Sequence, residues 1–545
     1  MAQRYLPVVR FINFIQFFCC FFLKNNCMSH ASVLWVDDEI EILEAHKLFL
    51  EMKGYRVVCM TNGFDALEYL QKQSVELILL DESMPGMSGL ETLQRIKRLH
   101  PHVPVVLVTK NETESLMEEA IGAQITDYLI KPVNPNQVLL TLKKNLDNKR
   151  LITASIVSNY QQQFRSMFDA LSEAPTFKNW IEVYRQLVFW ELEMEKSDTT
   201  EMSEVLLDQK REANTAFFKF ISRNYTSWIN QPDEDAPVLS HQYFSKKILP
   251  HISREKPLVW ILIDNFRYDQ WKAIEPLISA FLKIEEEECF FSILPTTTHY
   301  CRNAIFSGRL PSEMEKRFPE LWKKDNDEDG KNNHEELFFK AQLQALGRSD
   351  IRFAYHKILT NADAVKLSDQ AAGMLNDDLT IVVYNFVDMI SHARTDMEVI
   401  KELASDEKAY RSLTKSWFTH TPLFQLIKKL SQKNCQLVLS TDHGSIQVKH
   451  PVKVLADKET TNNLRYKNAK NLDVDLRQVL SFKDPLLAGL PRPNISSSFI
   501  FAGKQDYFCY PNHYNHFVQL YKNSFQHGGI SMEEMIVPTI RLSNR

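Results

Sequence analysis

The chain has 545 residues and a formal net charge of −5, with 64 Lys and Arg against 69 Asp and Glu. It is too long for one compact domain, and its charge excludes a protein dominated by contacts to a phosphate backbone. An apolar fraction of 44%, 24% charged residues and a mean hydropathy of −0.29 exclude disorder, collagen-like repeats and a polytopic membrane protein. Glycine is scarce: there are 14, where average usage near 7% would give roughly 38. The eight cysteines show no CxxC and no even spacing. That excludes a disulfide framework or a thiolate zinc cluster and suits a reducing compartment.

Residues 11–23 (FINFIQFFCCFFL) form an apolar run between Arg10 and Lys24. The run has signal-peptide length, is short for a spanning helix, and lacks an A-x-A cleavage site. Met28 then opens MSHASVLWVDDE, which reads as a cytosolic start. Residues 1–27 are expected to be a mis-assigned start or a non-functional leader, with a genuine anchor as the other reading. No stable membrane insertion and a cytoplasmic location are expected.

From residue 28 to 150 short two-sided apolar runs at 33–36, 77–80, 105–108 and 128–130 alternate with amphipathic stretches such as 40–53 and 89–99. This pattern predicts a doubly wound α/β domain with buried parallel strands. Ligands in such sheets bind beyond the strand carboxyl ends. There stand Asp37 and Asp38, Asp81, Thr109 and Lys131. Three carboxylates in one crevice repel unless a hard cation such as Mg²⁺ sits among them. A carboxylate beside Mg²⁺, an ammonium and a hydroxyl is placed to accept a phosphoryl group.

The motifs VDDE, LLDESMPGMSG, VT and YLIKP, in this order, closely resemble the receiver domain of two-component response regulators. The resemblance implies Asp81 as phospho-acceptor, Asp37 and Asp38 as Mg²⁺ ligands with the Ser83 backbone, and a sensor histidine kinase as partner. It also implies Thr109 and Tyr128 as a switch pair and Lys131 as the phosphate-binding lysine. Lys110 departs from the small residue usual there.

Residues 151–250 read as a helical connector. Phe164, Met167, Phe168 and Leu171 share one face, as do Trp180, Tyr184 and Leu187. Turns are expected at 197–200 and 230–233.

A second α/β pattern fills 251–545, with apolar runs at 258–263, 379–386 and 436–439 followed by Asp264, by Asp388 and by Thr441-Asp442-His443-Gly444. Asp388 and His392 lie four apart, and His527 precedes two glycines. Singly, each cluster reads more readily as a cap or turn. Together they supply three Asp and three His, a mixture preferred by Zn²⁺ or Mn²⁺. Between them lies PTTTHYCRNAIFSG, residues 295–308, whose threonines offer a metal-activated nucleophile or a helix cap. Arg302 and Asn303 are polar neighbours for which surface packing is an equal expectation.

The order of these motifs resembles the alkaline phosphatase superfamily, in particular its PglZ branch, as does the tail QHGGISMEEMIVP. The resemblance implies an alkaline-phosphatase-like α/β domain. Its nucleophile stands ten residues before a Gly, which selects Thr298 ahead of Gly308 over Thr296 and Thr297. One zinc site would comprise Asp264, Thr298, Asp442 and His443; the other would comprise Asp388, His392 and His527. The absence of C-x-P-x-R separates the chain from the sulfatases.

A receiver joined through helices to such a domain is similar to the PorX-like response regulators of type IX secretion. That similarity implies phosphorylation-dependent homodimerisation, zinc-dependent phosphodiesterase activity on oligonucleotides or cyclic nucleotides, and contact with a sigma factor or secretion component. The other reading is a non-catalytic signalling adaptor that binds a protein partner when phosphorylated and keeps its metals for structure. A DNA-binding output is disfavoured, because neither a recognition-helix pattern nor a basic patch is present. Six of the fourteen glycines (Gly86, Gly89, Gly308, Gly444, Gly528 and Gly529) fall beside the proposed phosphate or metal chemistry.

Overall fold

A computed structural model describes residues 31–101, 103–110, 125–147, 159–160, 175–197, 200–231, 235–325, 327, 330–385, 406–456 and 460–545. The chain forms two compact units, Met1–Asn159 and Tyr160–Arg545.

In the first unit five parallel strands, β1 (Ala31–Val36), β2 (Tyr55–Met60), β3 (Leu77–Asp81), β4 (Val105–Thr109) and β5 (Asp127–Ile130), are ordered 2-1-3-4-5. Side chains alternate along each strand, so each feeds two cores. Val33, Trp35, Leu77, Leu79, Val106 and Val108 pack on one face, and Leu34, Val36, Ile78, Leu80 and Val105 on the other. Helix α1 (Glu44–Met52) and helix α4 (Pro135–Leu142) close the first face. Helices α2 (Gly63–Lys72) and α3 (Gly89–Leu99) close the second. Burial on both faces is why the strands read as continuous apolar runs rather than alternating ones. The expected helix over 40–53 is a 3₁₀ turn, Ile40–Leu43, leading into α1.

The second unit holds a six-stranded sheet built on β6 (Leu258–Ile263), β7 (Leu282–Phe291), β8 (Phe353–Ile358), β9 (Leu379–Tyr384), β10 (Gln436–Ser440) and β11 (Ile536–Asn544), in the order 7-11-10-6-9-8. β10, β6, β9 and β8 run parallel. β11 is antiparallel to both β10 and β7. Every residue of β6 and β9 is buried. The carboxyl ends of β6 and β10 therefore open into loops at one edge of the sheet, where Asp264 and Thr441-Asp442-His443 begin.

Helices α5 (Phe177–Ser197) and α6 (Thr200–Asn230) occupy the connector region and belong to the same compact unit as this sheet. Trp180, Tyr184 and Leu187 are buried as one stripe. The Tyr225 hydroxyl accepts from the Leu294 backbone at 2.8 Å, and Arg185 donates to the Glu287 carbonyl at 2.7 Å. Phe164, Met167, Phe168 and Leu171 lie outside the described residues, as do residues 1–30. Among the described residues no helix is long and apolar enough to cross a membrane.

Candidate active sites

At the carboxyl edge of the first sheet, oxygens of Asp37, Asp38 and Asp81 lie within 4.8 Å of one another. Asp37 and Asp81 are buried and Asp38 is exposed. Lys131 bridges the buried pair, with Nζ 2.9 Å from both Asp37 Oδ2 and Asp81 Oδ1. Burial, together with the charges of Asp37 and Asp38, holds the Asp81 carboxyl above its usual range even though Lys131 opposes the shift. The two carboxylates raise the Lys131 ammonium against the effect of its own burial. Thr109 is buried at the end of β4, one register position beyond the residue opposite Asp81. Tyr128, by contrast, is 46% exposed on β5. Gly89 permits the approach of α3, since a Cβ there would stand 2.2 Å from the Asp81 carbonyl oxygen. Lys110 pairs with Glu39 at 3.3 Å on the surface, beside the carboxylate cluster.

In the second unit, Asp264, Asp442 and His443 present ligand atoms within 4.8 Å of one another, all from buried side chains. Thr298 is the first residue of helix α8 (Thr298–Ser307), which follows α7 (Tyr268–Ile278). Its Oγ1 lies 3.1 Å from Asp264 Oδ1 and 3.0 Å from His443 Nε2. The three threonines divide sharply. Thr296 accepts from the Gly528 backbone at 3.0 Å and donates to the Gly529 carbonyl at 2.9 Å. Thr297 is the N-terminal flanking residue of α8 and its buried hydroxyl has no hydrogen-bond partner, so the expected threonine cap is not made. Of these three, Thr298 is the one whose hydroxyl touches the Asp and His cluster.

Two imidazoles complete this edge. The rings of His443 and His527 stack with centroids 4.4 Å apart. His443 Nδ1 lies 3.1 Å from the Gly444 carbonyl and His527 Nδ1 lies 3.2 Å from the Thr296 carbonyl. A carbonyl oxygen only accepts, so each Nδ1 carries a proton in these contacts. Asp388 and His392 lie outside the described residues.

The donor set suits a borderline cation. Asp442 Oδ2 is fully buried, has no hydrogen-bond donor, and lies 3.9 Å from His443 Nε2. Such an oxygen is costly unless something positive faces it. The carboxylate oxygens of Asp264 and Asp442 and the imidazole of His443, converging on one point, are ligands that zinc and manganese accept.

Arg302 and Asn303 are both buried rather than surface residues. The Arg302 guanidinium donates from Nη1 to Asp264 Oδ2 at 2.7 Å and to Asn385 Oδ1 at 3.0 Å, and from Nε to Glu335. Asn303 donates to the His299 and Lys331 carbonyls and stands apart from the cluster. Sequence reasoning also passed over Glu533 and Glu534. Both are buried, and two adjacent acids in the apolar run ISMEEMIVP were the available signal.

Three known families match the chain. Residues 33–143 match the response regulator receiver domain, 150–229 the PorX response regulator linker domain, and 243–542 the BREX system PglZ alkaline phosphatase-like domain. The last match spans more than half of the chain. This chain belongs to the PglZ alkaline phosphatase-like family. Its receiver, linker and PglZ segments stand in the order of a PorX-like response regulator.

Curated relatives include the transcriptional regulatory protein ZraR of Klebsiella oxytoca, 34% identical over 140 residues, 26% of this chain and 32% of ZraR. Another is the phosphoglycerate transport regulator PgtA of Salmonella typhimurium, 30% identical over 132 residues, 24% of this chain and 31% of PgtA. The chain thus spans about a third of the length of these relatives. Among solved structures, a CheY-like receiver from Methanospirillum hungatei is 31% identical over 22% of this chain and 96% of that one, with a TM-score of 0.22. CheY4 of Vibrio cholerae is 31% identical over 22% of this chain and all of that one, with a TM-score of 0.21.

Proposed function

We propose that this protein is a response regulator phosphorylated on Asp81 by a sensor histidine kinase, with a metal-dependent phosphodiesterase as its output and Thr298 as nucleophile. The observation that carries this reading is the Thr298 hydroxyl, 3.1 Å from Asp264 Oδ1 and 3.0 Å from His443 Nε2, beside the unpartnered Asp442 Oδ2. Asp264, Thr298, Asp442 and His443 would hold one Zn²⁺ or Mn²⁺, and His527, with Asp388 and His392, a second. When bound, such cations supply charge that favours the alkoxide and neutralises the phosphoryl oxygens. Asp264 and His443 orient the hydroxyl, whose proton passes to solvent. A Thr298 Oγ1–P bond forms as the bond from phosphorus to the leaving oxygen breaks, and that oxygen takes a proton from solvent. Water then cleaves the phosphothreonine and returns the hydroxyl. The N-terminus of α8 favours the anionic group undergoing transfer.

In the receiver, Asp37, Asp38 and Asp81 would hold Mg²⁺, Lys131 would neutralise the incoming phosphoryl group, and Thr109 with Tyr128 would report it. The match to the PorX linker model supports the reading as a PorX-like response regulator, and a cytoplasmic role in type IX secretion is part of the proposal. Homodimerisation on phosphorylation, an oligonucleotide or cyclic nucleotide substrate, and contact with a sigma factor or secretion component belong to the same proposal.

The test is hydrolysis of bis-p-nitrophenyl phosphate by protein loaded with zinc or manganese. Thr298→Val is expected to lose at least a thousandfold, and chelation to abolish turnover. Equal rates in wild type and Thr298→Val would sink the enzymatic reading. Full complementation of a deletion by Thr298→Val would favour the adaptor.

A further inference from the structure

The buried acid Glu533 ties the connector helix α6 to the loops that carry His443 and His527. On α6, Lys210 places Nζ 3.3 Å from Glu533 Oε1, and Asn214 donates to Glu533 Oε2 at 3.0 Å. Asn214 also accepts from the Met532 backbone at 2.9 Å, so it clamps both the side chain and the backbone of the turn Met532–Met535. Lys210 is further held by Glu191 of α5 at 2.9 Å. Lys210, Asn214, Glu191 and Glu533 are all more than nine-tenths buried.

From this turn three short paths reach the metal ligands. The Glu534 carbonyl accepts from the Gly444 backbone at 3.2 Å, and Gly444 follows His443 directly. The contact is close enough that a Cβ on Gly444 would stand 2.1 Å from the Glu533 carbonyl oxygen. On the second path, Glu534 Oε1 accepts from the Gly529 backbone at 2.9 Å, two residues after His527. A shift in the turn is therefore felt at both imidazoles. A third tie runs through Met535, whose carbonyl accepts from the Ser292 backbone at 2.8 Å, while Ser292 Oγ donates to the Asp442 carbonyl at 2.6 Å.

We propose that Lys210 and Asn214 are positioning residues for the metal cluster, acting through Glu533, so that the placement of α6 sets the metal affinity of the hydrolase. Removing the ammonium leaves a buried carboxylate without its cation and so favours displacement of the turn that carries it. Lys210 and Glu533 also line a cavity of about 410 Å³ with Glu191, Asn214 and Arg411. At this point α6 thus borders a cavity, while farther along the helix Phe217, Ile221 and Trp228 are buried. The proposal rests on the reading of Asp264, Asp442 and His443 as metal ligands.

The test uses the full-length protein. Zn²⁺ affinity is measured by competition with a chromogenic chelator, and site geometry by the visible absorption of the Co²⁺-substituted protein. Lys210→Met is expected to weaken Zn²⁺ binding at least tenfold and to shift the Co²⁺ bands. Lys210→Arg should restore affinity to within threefold. Asn214→Asp, which sets a second carboxylate against Glu533, should act in the same direction and provides a second reading if Lys210→Met does not fold. Tyr243→Phe removes a buried hydroxyl that lies 2.7 Å from Thr539 Oγ1 and should leave both readouts unchanged. Wild-type affinity and spectrum in Lys210→Met and Asn214→Asp would overturn this inference alone. Wild-type protein that takes up no metal, or whose uptake Asp442→Asn leaves unaltered, would overturn the metal-site reading along with it.

Discussion

Arg302 donates from Nη1 to Asp264 Oδ2 at 2.7 Å, while the other oxygen of the same carboxylate faces Thr298. One carboxylate thus joins a fixed cation to the proposed nucleophile, and Glu335 on helix α9 (Glu335–Ala345) holds the guanidinium from behind. Arg302→Met would leave Asp264 and Glu335 buried without the guanidinium, with Lys357, 3.3 Å from Glu335, and the Tyr355 hydroxyl as partial compensation. Loss of about 3–5 kcal/mol is expected, read as a lower urea midpoint at unchanged slope. Arg302→Lys should recover only part of it, because an ammonium lacks the guanidinium fork.

Thr296 and Thr298 should separate stability from activity. Thr296→Val strands the Gly528 N–H and the Gly529 carbonyl, each costing about 1–3 kcal/mol when buried and unsatisfied. Its melting temperature is expected to fall clearly. Thr298→Val should melt close to wild type and fail in hydrolysis. Paired thermal scans and diesterase rates check both halves, and the reverse pattern would reassign the nucleophile to Thr296.

Lys131 holds two buried carboxylates that repel each other in its absence. Lys131→Ala should lower phosphorylation of Asp81 by a small-molecule phosphodonor at least tenfold, seen as a mobility shift on a phosphate-affinity gel. Asp81→Asn should abolish the shift. Labelling that survives Asp81→Asn would place the phosphoryl group elsewhere.

His241, at the start of the turn after the connector helices, gives a pH dependence to the second unit. Burial, with a smaller contribution from Lys246, pushes its imidazole down to about 4. The unfolded chain, titrating near 6.5, binds this proton more readily than the folded chain does, so stability rises with pH across that interval. The contribution is complete above about pH 6.5 and is lost as pH falls toward 4, amounting to roughly 3 kcal/mol. Urea midpoints across this range should show that slope in wild type and a shallower one in His241→Gln.

The parts legible in sequence were those that repeat a local rule. Two-sided apolar runs revealed β1, β3, β4 and β6, and the polar residues at their ends marked both crevices, because open parallel sheets bind at that edge. β2 was harder to read, since Arg56 is exposed and Cys59 and Met60 are only partly buried. Arg302 was left ambiguous because a helical arginine in sequence carries no sign that it will be buried. Its partners, Asp264, Glu335 and Asn385, come from three separate elements. Glu533 was missed for the same reason: its partners Lys210 and Asn214 lie more than 300 residues earlier in the chain.

The pairing of Glu533 with α6 bears on how this module can be dissected or transplanted. The PglZ match begins at residue 243, and a fragment cut there would carry Glu533 without Lys210 and Asn214, and Arg411 without Glu191 and Glu195. Its newly bared surface would hold unbalanced charge together with the apolar bed that received Trp180 and Tyr184. An excised PglZ domain that keeps α5 and α6 should be well behaved, whereas one trimmed to the family boundary should precipitate or bind metal poorly. Chimeras that exchange output modules between regulators therefore need their junction upstream of Phe177 rather than at residue 243.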